Sequence, residues 1–381
     1  MNETVLTWII FILAFGGMVI VHELGHFIAA RLVKVEVEEF GIGFPTPGAI
    51  TMFTWQGTRF TFNWLPIGGF VRPKGENDPN VEGGLAASAP WKRLFVLSAG
   101  PIMNLATAVL VISIIISQVG GIIVSPPVDD TGPQKILITE VVPNSPAEQA
   151  GLLTGDVLLT ADGKILNTTD EASNLIKASP DTPILFEVLR DGKTLEFVIT
   201  PRMNEQAGRA LIGVSFCGGC EFKPVTTITE NLKYSAQFTG AQIYALVTLP
   251  IKLVRGSIDP EQGRLVGLKG IFDIMLQSVS NDVEASQAQP ASAPPSPYNA
   301  PVQTLSIVAL LSISLGIFNL FPFPALDGGR ILFVLPELIF RRRVPHQFEN
   351  LVHLVGMTLL LLVMIYVNVR DFIDPVSTAF P

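Results

Sequence analysis

The sequence predicts a polytopic α-helical membrane protein with four transmembrane helices, a membrane-associated β-hairpin region and an inserted α+β domain. Of the 381 residues, 48% are hydrophobic and only 15% are charged, whereas soluble proteins carry about 25% charged residues. Crossing a hydrocarbon core of about 30 Å takes about 20 helical residues. Four apolar runs are long enough to do so, namely Val5–Val33, Leu94–Val119, Val302–Phe323 and Leu351–Val369.

The first run, in segment 1–35, predicts a retained transmembrane helix rather than a signal peptide. Glu3 is the only charged residue before it, whereas a signal peptide would carry basic residues there. The run is also too long for a signal peptide's apolar region. The other three spans are expected in segments 93–119, 302–330 and 350–370.

Basic residues near the span ends predict the orientation of the chain. They cluster between spans one and two and between spans three and four: Arg31, Lys34, Arg59, Arg72, Lys74, Lys92, Arg93, Arg330, Arg341, Arg342 and Arg343. Because cytoplasmic loops carry an excess of Lys and Arg, we expect both of these loops to be cytoplasmic. Both termini and the long region 120–300 would then be extracytoplasmic.

Segment 36–92 predicts a β-hairpin and loop on the cytoplasmic side of the membrane. Residues 50–64 are rich in β-branched and aromatic side chains, and Gln56-Gly57 predicts a turn between two strands. Such a hairpin is tolerated at membrane depth only where protein or a water-filled cavity satisfies its backbone. Gly68 and Gly69 would let another backbone approach closely.

Residues 125–216 show the pattern of a separate domain. Ser145 is a candidate N-cap, with Pro146 in the first helical turn and Glu148 three residues after the cap. The turn Asp191-Gly192 predicts a hairpin. The expected strands and helix are 135–142, 155–159, 170–178 (helical), 184–190, 194–200 and 211–216. This order resembles the circularly permuted bacterial PDZ domain.

The following region, 217–283, reads as amphipathic helices, and Asn231–Val254 is expected to lie on the membrane surface. Residues 284–301, rich in Ala, Ser, Pro and Gln, predict a disordered linker. Within Cys217-Gly-Gly-Cys220 the sequence predicts either a local disulfide or two inactive thiols, because no second Cys pair exists to complete a zinc site.

The segment Val21-His22-Glu23-Leu24-Gly25-His26 predicts a metal site inside the first span. On a helix, His22 and His26 project from one face, one turn apart. Two imidazoles so placed supply two ligands of a catalytic Zn²⁺, and Glu23 beside them is a candidate general base. Ionisable residues inside an apolar span are costly and usually functional, which favours this interpretation over a chance match.

A third ligand must come from elsewhere, and Asp327 is the stronger candidate. It ends the third apolar run, where Pro322 and Pro324 break the helix. Spans one and three run in the same direction, and both motifs lie toward their cytoplasmic ends, so the three ligands fall at a similar depth. His346 is the alternative ligand, although it lies in an arginine-rich loop.

The pair of motifs, His22–His26 and Asn319-Leu-Phe-Pro-Phe-Pro-Ala-Leu-Asp-Gly-Gly329, resembles the site-2 protease family of intramembrane metalloproteases. The four-span plan and PDZ-like insert resemble its bacterial regulator-of-sigma-E protease branch. The resemblance implies Zn²⁺ at His22, His26 and Asp327, with Glu23 catalytic, in a multi-pass protein of the bacterial inner membrane. One departure is that a single PDZ-like domain is found where some relatives carry two.

The resemblance also implies a substrate site. Ala99-Gly-Pro-Ile-Met-Asn104 matches a further family element, so Asn104 is expected to hold either the metal site or the substrate strand, with a helix-packing contact as the alternative. Asn319 is expected to hydrogen-bond an unwound substrate. The hairpin and the loop 65–71, with Gly68 and Gly69, are expected to bind the substrate as an added strand.

The expected partners are a single-pass transmembrane protein as substrate and the lipid bilayer. The PDZ-like domain would either bind a peptide C-terminus near Ala210–Gly213 or act as a filter against bulky substrates. A net charge of -8 argues against a nucleic-acid partner. An anti-sigma factor and signal-peptide remnants are both candidate substrates. The rival hypothesis is a proteolytically inactive membrane adaptor that presents a PDZ domain.

Overall fold

The computed structural model describes residues 3–46, 48–76, 78–124, 135–142, 145–190, 192–204, 208–256, 263–288 and 301–375. The chain divides into two compact units. The first contains Met1–Ile114, Leu232–Ser280 and Gln303–Thr378, and the second contains Ile115–Asn231 and Asn281–Val302.

The helices of the described residues follow one another along the chain. They are α1 (Glu3–Leu32), α2 (Pro90–Val119), α3 (Pro146–Ala150), α4 (Thr169–Ala178), α5 (Ile228–Val254), α6 (Leu268–Ala288), α7 (Gln303–Leu320), α8 (Asp327–Phe340) and α9 (His346–Ile373).

Helices α1, α2, α7 and α9 are long and apolar enough to cross a membrane. Each corresponds to one of the predicted spans. Their outward side chains are apolar and exposed, as Leu13 and Tyr366 illustrate, which is the surface that lipid would cover. Pro90 opens α2 at the position where a missing backbone N–H costs nothing.

The first unit contains a four-stranded sheet between α1 and α2 in the chain. Its strands are β1 (Val37–Phe44), β2 (Ile50–Trp55), β3 (Thr58–Phe62) and β4 (Leu65–Pro73), in the order β2-β3-β1-β4. The predicted hairpin is confirmed as the antiparallel pair β2 and β3. Gln56 and Gly57 both have positive φ, as a type I′ hairpin turn requires.

Strand β1 holds this sheet together by pairing parallel to β3 and antiparallel to β4. Glu39 on β1 is buried and accepts hydrogen bonds from Arg59 and Thr61 on β3 and from Arg72 on β4. The prediction of a loop at 65–71 was wrong, because these residues form the edge strand β4. Its partner β1 lies about 25 residues upstream, so the local sequence did not reveal the pairing.

Between α7 and α8 the chain turns sharply. Pro322 and Pro324 lie in this turn, and Ala325 adopts a left-handed φ of 81°. A Cβ on Gly328 would lie 2.1 Å from the carbonyl oxygen of Phe321, so only glycine fits the first turn of α8. Asp327 is thereby the first residue of α8 rather than the last of the preceding helix.

The second unit is built on a sheet with the order β10-β9-β7-β6-β13, with β8 paired to β7. The strands of this sheet are β6 (Ile136–Val141), β7 (Val157–Ala161), β8 (Lys164–Ile165), β9 (Ile184–Arg190), β10 (Lys193–Ile199) and β13 (Val214–Gly218). Two separate two-stranded ribbons pair β5 (Gly121–Val124) with β14 (Glu221–Pro224) and β11 (Arg202–Asn204) with β12 (Arg209–Leu211). Fully buried side chains such as Ile138, Phe186 and Val188 form its core with α3 and α4.

The predicted N-cap of α3 is confirmed, because the Ser145 hydroxyl accepts a hydrogen bond from the backbone N–H of Glu148 at 3.2 Å. The predicted strand 211–216 is interrupted and forms β12 and β13 instead. Gly213 has a φ of 79° at the break, and a Cβ there would lie 2.2 Å from the Cβ of Ser145. Cys217 and Cys220 form a local disulfide.

Two expectations for the region 217–301 also differ from the structure. Helix α5 begins at Ile228, three residues before the predicted start, and its position on a membrane surface stays a prediction. The predicted linker 284–301 was wrong at its start, because α6 continues to Ala288; the Ala- and Ser-rich stretch still allows helix there. Residues 289–300 lie outside the described residues.

Candidate metal centre

Helix α1 places His22 and His26 one turn apart with their rings facing the same point. Their Nε2 atoms are 3.1 Å apart, and about a tenth of each side chain is exposed. A Cβ on Gly25, between them, would lie 2.4 Å from the carbonyl oxygen of Ala99 on α2. The glycine in the motif therefore lets the two helices approach closely enough to bury the site.

Asp327 completes the group from the other end of the chain. Its Oδ2 atom lies 3.1 Å from Nε2 of His22 and 3.3 Å from Nε2 of His26. The carboxylate sits at the N-terminus of α8, where the helix dipole favours negative charge. Among the described residues, His22, His26 and Asp327 form the cluster that could hold a metal ion. His346 takes no described part, because its side chain lies outside the described residues.

These three atoms fit Zn²⁺. Ligand atoms bound at about 2.0–2.1 Å in a tetrahedron lie about 3.3 Å apart, which matches the separations of 3.1 to 3.3 Å between them. Oδ2 of Asp327 is buried and has no hydrogen-bond partner. Three lone pairs that converge this closely in a buried place repel one another unless a cation lies between them.

Each imidazole is also contacted on its far side. Nδ1 of His26 lies 2.8 Å from the carbonyl oxygen of Val96, and Nδ1 of His22 lies 3.2 Å from Nδ2 of Asn104. Asn104 is fully buried. The structure places the Asn104 side chain against His22 and not among the side chains that line the cavity described next.

A cavity of about 180 Å³ opens beside the cluster. Glu23 lines it together with Phe70 and Val71 of β4, and the Arg330–Glu76 ion pair lies on the same wall. The backbone of Val71 is a hydrogen-bond partner of Glu23. The expected base, the three candidate ligands and the edge strand β4 therefore share one cavity.

The glycines predicted to bind substrate lie on β4 next to this cavity. A Cβ on Gly69 would be 3.3 Å from Cγ of Glu23 and 3.3 Å from the carbonyl oxygen of Gly41. Gly68 has a φ of 87° and no atom within 4 Å of a Cβ built there. Asn319 is not among the side chains that line this cavity, and its Nδ2 donates to the carbonyl oxygen of Leu315 within α7, at 3.0 Å.

His353 lies behind the turn that carries Asp327, and the sequence motifs did not indicate this position. Its Nδ1 accepts a hydrogen bond from the backbone N–H of Ala325, at 3.0 Å. Three residues along α9, a Cβ on Gly356 would lie 2.3 Å from the Cβ of Pro324. Helix α9 therefore contacts the turn that presents Asp327. In the sequence, a His and a Gly about one turn apart in an apolar span were the signal that could have indicated this contact.

Comparisons with known proteins identify relatives that are named as metalloproteases. A Campylobacter jejuni protein named as a proposed zinc metalloprotease is 32% identical over 373 residues, covering 94% of this chain and 91% of that protein. Metalloprotease MmpA of Caulobacter vibrioides is 28% identical and is covered to 92%. A PDZ domain of an SdrC-like protein from Listeria monocytogenes matches 24% of this chain and 93% of its own, with 18% identity and a TM-score of 0.21.

The family model for peptidase family M50 matches residues 10–363. Together with the four apolar helices, this match identifies a membrane protein of the metalloprotease class. The chain belongs to peptidase family M50, the site-2 proteases.

Proposed function

We propose that this chain is an intramembrane zinc metalloendopeptidase that cleaves the transmembrane segments of single-pass membrane proteins. The observation that carries the proposal is the convergence of His22, His26 and Asp327, with Glu23 in the adjoining cavity, on helices apolar enough to lie in a bilayer. Ionisable groups at such a depth are costly to bury and usually serve function.

The residues of the site divide the chemistry between them. When bound, Zn²⁺ supplies the Lewis acid that polarises the scissile carbonyl and acidifies a water molecule. The Glu23 carboxylate accepts the proton of the attacking water and then delivers it to the amine of the departing peptide. Glu23 follows His22 directly on α1 and lines the same cavity. The proposed base therefore lies next to the proposed metal position.

Strand β4 is the proposed platform for the substrate. It forms an edge of the sheet, so one row of its backbone N–H and C=O groups is left without a strand partner. A transmembrane helix conceals its amide bonds and must unwind before cleavage, and pairing with β4 would satisfy the backbone groups that unwinding frees. At Gly69 the strand lies so close to Glu23 that a Cβ built on the glycine would be 3.3 Å from Cγ of Glu23.

The distribution of basic residues supports a particular orientation of the chain in the membrane. Both short arginine-rich loops would be cytoplasmic, and the PDZ-like domain and both termini would be extracytoplasmic, in a bacterial inner membrane. We further propose, from the membership of peptidase family M50, that an anti-sigma factor or signal-peptide remnants are the substrates, cut after another protease removes an outer domain.

The PDZ-like unit contains a cleft of about 450 Å³ between α4 and strands β12 and β13. Three basic side chains line it, namely Lys177, Arg202 and Arg209. A cleft beside a strand edge with basic side chains favours capture of a peptide carboxylate over a role as a filter alone. A peptide with a free C-terminus should bind the full chain more tightly than its amidated form. Equal binding of the two peptides would contradict carboxylate capture and favour the role as a filter against bulky substrates.

Glu23→Gln tests the proteolytic function directly. The variant should bind one Zn²⁺ per chain and lose cleavage of a co-expressed single-pass membrane protein, because the amide cannot accept the proton. Glu38→Gln is the matched control, since it makes the same change on an exposed residue of β1. Cleavage by the Glu23→Gln variant at the wild-type rate would contradict the assignment.

The rival adaptor hypothesis makes a different prediction for the purified wild-type chain. An adaptor without proteolytic activity should contain no stoichiometric zinc and should leave the membrane proteome unchanged. Comparing membrane fragments in cells with wild-type and Glu23→Gln chains would identify the substrates. If no fragment accumulates with the variant, regulated intramembrane proteolysis is not the function.

A further inference from the structure

The two candidate histidine ligands differ in what lies behind them. Nδ1 of His26 is 2.8 Å from the carbonyl oxygen of Val96. A carbonyl can only accept, so Nδ1 of His26 carries the proton and Nε2 keeps its lone pair. That tautomer is the one that a ligand bound through Nε2 needs.

His22 requires the same tautomer for the same reason. Its Nε2 is 3.1 Å from Oδ2 of Asp327 and 3.1 Å from Nε2 of His26, so this nitrogen is the one that faces the metal position. The proton of the neutral ring must then be on Nδ1. The group 3.2 Å from Nδ1 is the side-chain amide of Asn104.

The amide as placed turns its nitrogen toward His22. With a proton on Nδ1, two donors would face each other, while Oδ1 of Asn104 is buried with no hydrogen-bond partner. The oxygen and nitrogen of an amide occupy nearly equivalent positions, and their assignment follows from the hydrogen bonds they make. Turning the amide by 180° replaces the donor–donor contact by a hydrogen bond, because Oδ1 then accepts from Nδ1–H of His22.

We infer that Asn104 is a positioning residue whose side-chain oxygen accepts a hydrogen bond from Nδ1–H of His22 and so holds that histidine in its metal-binding tautomer. The inference rests on the proposed metal centre and deepens it. Asn104 does for His22 what the Val96 carbonyl does for His26. It contacts neither the metal position nor the cavity, so its effect passes entirely through the imidazole.

The packing around Asn104 is suited to this role. Ser312 of α7 donates a hydrogen bond to the backbone carbonyl of Asn104, at 2.8 Å, and both residues are fully buried. Asn104 lies well inside α2, so the hydrogen bonds of the helix itself fix its backbone position, with or without Ser312. A buried polar side chain of this kind must make its hydrogen bonds within the protein.

The test measures metal affinity rather than proteolysis. The full chain is purified in detergent, stripped of metal, and titrated with Co²⁺ in competition with a chromophoric chelator, with the visible absorption of bound Co²⁺ as a second signal. Asn104→Leu has a similar volume but no acceptor, whereas Asn104→Asp keeps an oxygen. Ser312→Ala is the control, because it removes a buried hydrogen bond at the same place but leaves the Asn104 side chain intact.

We expect Asn104→Leu to bind Co²⁺ about 10–100-fold more weakly, with an altered absorption spectrum, as loss of a hydrogen bond behind a histidine ligand does elsewhere. Asn104→Asp and Ser312→Ala should stay within about threefold of wild type. If Asn104→Leu does not fold, Asn104→Ala, which adds no bulk, takes its place.

Two results would overturn the inference: wild-type affinity in the variant without an acceptor, or an equal loss in Asn104→Leu and Asn104→Asp. A wild-type chain that binds no Co²⁺ would instead remove the metal centre itself, and this inference with it. The two failures are therefore distinguishable in one titration.

Discussion

A Cβ built on Gly100 would lie 2.3 Å from Nε2 of His26. Gly100 belongs to α2, and the absence of a side chain there lets the candidate ligand occupy its position against that helix. Real Cβ atoms do not approach other atoms this closely, so any larger residue must displace the imidazole.

We therefore predict that Gly100→Ala lowers zinc content per folded chain by at least about tenfold, because Nε2 must leave the metal position. Metal analysis after gel filtration would measure it. Gly17→Ala on α1 is the control, since a Cβ there meets no atom within 4 Å and alanine favours helix. Normal zinc in Gly100→Ala would mean that His26 is not a ligand in its present rotamer.

The identity of the third ligand gives a second prediction. Asp327→Asn replaces a carboxylate by a neutral and weaker ligand, so zinc should be lost and cleavage abolished. His346→Ala should retain both, although the sequence alone left His346 as an alternative. Zinc stoichiometry of the two purified variants decides between them, and the opposite pattern would assign the third ligand to His346, the first residue of α9.

His353 gives a third prediction through the turn that carries Asp327. In His353→Ala the backbone N–H of Ala325 loses its acceptor, which costs about 1 kcal/mol for a donor that is only partly buried. We expect a lower Tm and weaker zinc binding, measured in the same detergent. Thr358→Ala on the exposed side of α9, where the hydroxyl bonds only to Leu354 of its own helix, should change neither.

A buried carboxylate at the end of α9 gives a fourth prediction. Oδ2 of Asp371 accepts from the backbone N–H groups of Gly267 and Gly270, at 2.7 and 3.2 Å, and its Oδ1 pairs with Arg264. Asp371 is fully buried, so Asp371→Asn should destabilise the chain by about 3 kcal/mol.

The neighbouring carboxylate provides the matched control for this fourth prediction. Asp374 pairs with the same Arg264 but is largely exposed, and exposed ion pairs contribute about 0–1 kcal/mol. Thermal unfolding should therefore separate Asp371→Asn from Asp374→Asn by several degrees. Similar melting curves for the two variants would show that the connection before α6 does not depend on Asp371.

Those features of the fold and site that rest on short-range patterns could be predicted from the sequence. The helical repeat put His22 and His26 on one face, and the run lengths predicted the four apolar helices. Asp327 could be placed near them because two parallel spans bring their ends to the same depth. The hairpin turn at Gln56-Gly57 and the cap at Ser145 are likewise local signals.

The features that were missed depend on contacts between distant parts of the chain. The family motif indicated that Asn104 serves either the metal site or the substrate, but nothing in the local sequence shows that its amide meets His22, which lies about 80 residues upstream. The edge strand β4 exists because β1 pairs with it, and the turn before Asp327 is held by His353 from another helix. Such contacts follow from packing, which one sequence does not specify locally.

The candidate ligands come from the two ends of the chain, with His22 and His26 in the first span and Asp327 after the third. During synthesis the first span emerges early, whereas the carboxylate emerges only when most of the protein has been made. A chain that stops before Asp327 therefore lacks one of the three candidate ligands. The complete cluster forms only late in synthesis, so the proposed metal centre depends on nearly the whole chain having been made.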